Sequence, residues 1–76
     1  MSELLTLLAK GLVDEPDEVV VTEIESEHAT VLQLKVARDD LGKVIGKQGR
    51  TARSIRTLLS AAGRKARRRL VLDIVE

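Results

Sequence analysis

Two glycines three residues apart, Gly46 and Gly49, bracket Lys47-Gln48 between two segments of helical character, and no other feature restricts the fold as much. Glycine lacks a Cβ, so the corner can adopt conformations closed to other residues and lets another molecule approach its backbone. Before it, Asp39 and Asp40 favour the start of a short helix running only to Ile45. After it, Ala52, Ile55, Leu59 and Ala62 recur at helical spacing, with Arg50, Arg53, Thr57 and Ser60 on another side. Gly63 is the expected C-terminal cap of this second helix. A basic loop, Arg64-Lys65-Ala66-Arg67-Arg68-Arg69, then leads to a strand over residues 70–75.

The N-terminal half supplies one helix and a hairpin. Leucines at 4, 5, 8 and 12 follow an amphipathic pattern, with Ser2 as N-cap, and Gly11 and Asp14-Glu15-Pro16-Asp17 as the stop. The β-branched run at 19–24 predicts a strand in which Val20, Thr22 and Ile24 share one face. Ser26-Glu27-His28 make a turn into a second strand over 30–37, with Leu32, Leu34 and Val36 on one side and Val31, Gln33 and Lys35 on the other. The order α-β-β-α-α-β, without repeat or linker, predicts a single α+β domain over 1–76. Its expected form is a three-stranded mixed sheet with the helices packed on one face.

A chain of 76 residues buries only about 60% of its unfolded surface, which leaves little room for an enclosed active site. It has no cysteine, so thiolate metal sites and disulfides are excluded. The lone histidine, His28, falls in a turn among acids, where an exposed surface role is expected. It has no second imidazole with which to build a metal site or catalytic dyad. No enzyme activity and no cofactor are expected. No stretch approaches the roughly 20 apolar residues that cross a bilayer, and the acidic N-terminus lacks the basic region of a signal peptide. A cytoplasmic location without membrane insertion is the expectation.

The overall charge of +1 conceals a polarised chain. Through Leu34 one base opposes eight acids, net −7; from Lys35 onward twelve bases oppose four acids, net +8. Such a distribution attracts a polyanion even when the whole molecule is almost neutral. The glycine corner lies in the basic half. The helix after it presents unpaired N–H groups and the positive end of its dipole, a seat for phosphate. Lys47 adds a cation at the tip, Gln48 a neutral hydrogen-bonding group, and Lys43, Arg50 and Arg53 flank the corner. Two other glycine motifs fail on spacing. Gly42 to Gln48 is one residue short of a P-loop and has Gln48 where a metal-binding hydroxyl belongs; Val44 replaces the first glycine needed for a dinucleotide fingerprint.

Val44-Ile45-Gly46-Lys47-Gln48-Gly49-Arg50-Thr51, followed by Ile55-Arg56, resembles the signature of KH domains. The helix-strand-strand prefix resembles the type II arrangement, and Leu12-Val13-Asp14-Glu15-Pro16-Asp17 is similar to the small bacterial single-KH proteins of the KhpA family. The resemblance covers essentially the whole chain. It implies single-stranded RNA clamped over about four nucleotides by Gly46, Lys47, Gln48 and Gly49, with bases in a groove beside Val44, Ile45 and a strand edge. It also implies a KhpB-type KH protein as a partner, and post-transcriptional or RNA-chaperone roles.

The chain has no Phe, Tyr or Trp, so aromatic base stacking is unavailable and aliphatic side chains would cover the bases. Val36 and Ile55 read as core; Ile45 is open between core and groove. Arg64, Lys65 and Arg67 to Arg69 either extend the RNA track or form a solvated loop, and Arg56 either touches RNA or pairs with an acid. The second long helix carries Ala52, Ile55, Leu58, Leu59, Ala61 and Ala62, more apolar surface than one sheet contact needs, which suggests a homodimer. The leading function is therefore low-selectivity RNA binding; the alternative is a protein-interaction adaptor that uses the fold for dimerisation.

Overall fold

A computed structural model describes residues 2–75, so Met1 and Glu76 lie outside the described part of the domain expected over 1–76. Helix α1 (Ser2–Leu12) is followed by the hairpin strands β1 (Val20–Glu25) and β2 (Ala29–Lys35). Then come the short helix α2 (Leu41–Ile45), the long helix α3 (Arg50–Lys65) and strand β3 (Arg69–Val75). The order is the α-β-β-α-α-β expected, and the sheet is mixed: β1 pairs antiparallel with β2, and β2 pairs parallel with β3. Crossing back to make the parallel pair requires the α2–α3 segment, which is why both helices lie on the same side as α1.

The register decides what is inside. Val21 faces Leu34 across the hairpin, and Leu32 and Leu34 face Leu72 and Ile74 across the parallel pair. Because residues alternate faces along a strand, Leu32, Leu34, Leu70 and Leu72 all point toward the helices. They meet Leu5 and Ala9 of α1, Val44 of α2, and Ile55 and Leu59 of α3. Leu32 and Leu34 have no exposed surface, and burying each stabilises the fold by about 1.5–3 kcal/mol. Val20, Thr22 and Ile24 do share a face, but it is the solvent face of the sheet; Val19 and Val21 are the residues of this run that pack on the core.

Two glycines are placed differently from expectation. Gly11 does not stop α1, which continues to Leu12. Gly63 does not cap α3; it is buried inside the helix, which runs on to Lys65. A Cβ there would overlap the carbonyl oxygen of Arg68 and lie 3.2 Å from Leu70 Cγ, so Gly63 lets the chain fold back closely onto the helix.

Candidate functional site

The corner between α2 and α3 is built from left-handed backbone. Gly46 sits at φ 77, ψ 172, a region reached almost only by glycine, and Gly49 at φ 74, ψ 12. Between them Gln48 also takes positive φ, at 58. The N–H of Gly46 donates to the Gly42 carbonyl (2.8 Å), ending α2, and that of Gly49 donates to the Gly46 carbonyl (3.1 Å), closing the turn. A side chain at Gly46 would overlap Thr51 and come within 2.8 Å of its backbone nitrogen, whereas one at Gly49 meets nothing within 4 Å. With Gly49 at the N-cap of α3, no side chain of the cap residue covers the first amides of the helix. Lys47, Gln48 and Arg50 are exposed around them.

Beyond the corner, beginning at Arg53 in the first turn of α3, an open groove of about 910 Å³ lies between α3 and β3, the strand at one edge of the sheet. Arg53, Arg56 and Arg64 reach it from α3, and Arg67, Arg68 and Arg69 from the turn into β3. Thr57 and Ser60 add hydroxyls, while Leu70, Val71 and Leu72 give it an apolar wall. The helical residues recur at spacings of three and four, so they form one stripe along α3. Among the described residues, Arg53, Arg56, Arg64, Arg67 and Arg69 have no acidic partner, which leaves their charges directed at the groove and solvent. The acid partner considered for Arg56 is absent from that set.

Three sequence expectations change on contact with the structure. Val44 has no exposed surface; it faces the sheet from the single turn of α2 and supports the corner from beneath instead of bordering a groove. Ile45 is 37% exposed but does not border the arginine-lined groove, and Val36 and Ile55 are core, as their patterns suggest. Lys43 is not a free cation: its ammonium pairs with the Asp14 carboxylate and lies 3.4 Å from Asp40 Oδ1.

Asp40 is the residue that sequence reasoning missed. It sits at the N-cap position of α2 but does not cap it. Its carboxylate, only 2% exposed, accepts the backbone N–H groups of Asp14 (3.2 Å) and Glu15 (3.0 Å) instead. Burial alone would push this carboxyl up; the two backbone donors and the Lys43 ammonium outweigh it and hold it below the ordinary carboxylate range. Lys43 is held above its ordinary range, chiefly by its hydrogen bond to Asp14. The knot ties the linker after α1 to the helix that leads into the glycine corner. An acid placed before a helix reads as a favourable charge, and nothing in its local sequence names a partner 26 residues away.

At the other end of α3 the basic loop is also ordered by its own bonds. Arg67 takes φ 57, with its N–H donating to the Arg64 carbonyl (3.1 Å) and that of Arg68 to the Gly63 carbonyl (2.7 Å). This is a Schellman arrangement with arginine where glycine is usual. The exposed His28, expected as a turn residue, lies beside Glu27 at 3.9 Å. Among the described residues no cluster could hold a metal ion, and no helix is long and apolar enough to cross a membrane.

The family model described as KhpA/KhpB, KH domain, matches residues 2–74. An RNA-binding protein KhpA of Clostridium acetobutylicum is 53% identical over 75 residues, covering 99% of this chain and all of the relative. The protein of the same name from Aquifex aeolicus is 54% identical over 76 residues, covering the whole chain and 96% of the relative. That of Halalkalibacterium halodurans is 47% identical over the full length of both. No solved structure gives a significant match.

Proposed function

The chain belongs to the KhpA/KhpB KH-domain family, and on that premise we propose that it binds single-stranded RNA, with the ribose-phosphate backbone seated on residues 46–49. The strand continues along the groove between α3 and β3. One observation carries this reading: the glycine corner, whose cap residue places no side chain over the start of α3, leads directly into a stripe of arginines that have no acidic partner among the described residues. Phosphates meet Lys47, Arg50 and Arg53 first, then Arg56 and Arg64, with Lys65 at the helix end. Bases lie against the apolar wall of β3, since the chain has no aromatic platform. Lys43 acts through the knot with Asp14 and Asp40, holding the corner in place.

Backbone contacts of this kind carry little sequence information, so the activity is low-selectivity binding, suited to a cytoplasmic post-transcriptional regulator or RNA chaperone. Neutralising about four phosphates gives a log-log salt slope near −3, at ~0.7 per contact on a single strand. One such domain holds few nucleotides, and pairing with a second copy or a KhpB-type KH protein raises affinity through effective concentration. Leu58, 51% exposed, and the exposed Ala61 form a strip on α3 away from the arginines and serve that pairing. Light scattering that showed only monomer at micromolar concentration would remove the homodimer.

The test is Lys47→Asp with Gln48→Asp, which sets two carboxylates where phosphates should lie. RNA retention in filter binding is expected to collapse while circular dichroism stays unchanged. Full retention by the folded variant would refute the binding site, and intact protein complexes without RNA would favour an adaptor.

A further inference from the structure

Arg68 stands among the groove arginines yet is bonded unlike any of them. Its Nε donates to Thr30 Oγ1 at 2.9 Å, and its Nη2 donates to the carbonyl oxygens of Ser26 and Ala29, each at 3.3 Å. Thr30 is 2% exposed and lies opposite Leu70 in the parallel register. Ser26 and Ala29 close the β1–β2 turn: the Ser26 N–H and hydroxyl both donate to the Ala29 carbonyl, at 2.8 and 2.9 Å. The backbone N–H of Arg68 simultaneously closes the Schellman turn on Gly63. One residue therefore holds two turns that are about 40 positions apart in sequence.

The geometry points to Arg68 as a positioning residue for RNA, one that staples the α3–β3 turn to the β1–β2 hairpin so that Arg64, Arg67 and Arg69 keep a fixed pitch along the groove. The inference rests on the RNA-groove reading above. The side chains of its neighbours Arg67 and Arg69 have no bonded partner among the described residues, and Arg67 occupies a left-handed conformation that disfavours a side chain. The turn's own backbone bonds set its shape, and the Arg68 side chain adds a tie to the hairpin; without that tie each phosphate contact would have to fix more of the placement of the turn's side chains. The guanidinium fork suits the task because it spans a hydroxyl and two carbonyls at once; an ammonium carries the same charge without that geometry. The β1–β2 hairpin thus takes part in RNA binding without touching RNA.

Charge and position separate cleanly in two variants. Arg68→Lys keeps the charge and loses the fork; Thr30→Val keeps both the charge and the shape of the buried residue and loses the acceptor. Each is expected to weaken binding of a short single-stranded oligouridylate roughly three- to tenfold, the scale of one or two hydrogen bonds, with the salt slope unchanged. Circular dichroism and thermal unfolding verify that both variants fold. Arg64→Gln is the control for the groove itself and should reduce the slope by ~0.7. Wild-type affinity in Arg68→Lys would make Arg68 a simple phosphate contact, and wild-type affinity in Thr30→Val would show that the staple does not matter; either overturns the proposal. An unchanged slope in Arg64→Gln overturns the groove reading instead, and is distinguishable because it involves neither Thr30 nor Arg68.

Discussion

The two ends of α3 solve the same problem, reversing the chain with left-handed backbone, by different means. At the N-terminal end two glycines do most of it: Gly46 and Gly49 take positive φ, with Gln48 between them at φ 58. At the C-terminal end Arg67 takes the left-handed position, while the nearby glycine, Gly63, serves close packing against Arg68 and Leu70. Each end is moored to a distant segment, the first by the Asp40–Lys43 knot to the linker after α1, the second by Arg68 to the hairpin. The contrast teaches that two corners of basic composition can be held in different ways. What separates them is that the second ties one of its own side chains, Arg68, to a distant segment, whereas among the described residues no such bond holds Lys47, Gln48 or Arg50.

Substitutions at the glycines test that division most severely. Gly46→Ala should lower stability by about 3 kcal/mol or more, combining ~1–3 kcal/mol for a conformation alanine avoids with ~1–3 kcal/mol for overlap with Thr51. Gly49→Ala, with open space around it, should cost only about 1–2 kcal/mol. Urea denaturation measures both; equal losses would break the distinction between the two glycines. At the far end, Gly63→Ala should cost about 1–2 kcal/mol, overpacking against the Arg68 carbonyl being partly offset by alanine's better helix propensity. A gain in stability there would mean that the helix end yields freely. Arg67→Gly should have the opposite sign, stabilising by about 1 kcal/mol or less, because relief of the left-handed strain exceeds the added freedom of the unfolded chain.

The smallest effect is local and depends on pH. Asp40 is more acidic in the folded state than in the unfolded chain, so its contribution is present above the unfolded value near ~4 and is lost as pH falls through the depressed folded value. Lys43 has the opposite sense: its contribution is present at neutral pH and is lost as pH rises through its raised folded value. The Arg68–Thr30 staple contains no carboxylate. After correction for intrinsic exchange rates, acidification should therefore reduce hydrogen-exchange protection at the Asp14 and Glu15 amides while leaving that of Arg68 unchanged. Parallel loss at both ends would show that the moorings are not independent.

These two ends also mark how far the sequence could be read. The element order, the inward set Leu32, Leu34 and Val36, and the glycine corner were legible because period-two alternation, helical spacing and a glycine pair are local signals. The groove arginines were visible as residues but not as a surface, since only the α3–β3 packing lines up Arg53, Arg56 and Arg64 with the basic loop. Gly63 misled because a glycine near a helix end reads as a cap, when the reason for it is a backbone carbonyl five residues later. Val44 and Lys43 flank the corner in sequence, yet a single-turn helix points one into the core and the other at two acids. Asp40 and Arg68 were illegible as moorings because their partners lie 25 to 42 residues away.

The most direct test follows backbone amide signals of the 15N-labelled protein by NMR during titration with a short single-stranded oligouridylate at low salt. The account predicts the largest shifts at Gly46 to Arg50, a second set along Arg64 to Val71, and none along the acidic β1 edge at Glu23 and Glu25. Shifts concentrated on the solvent face of the sheet or on α1, with the glycine corner unmoved, would contradict it.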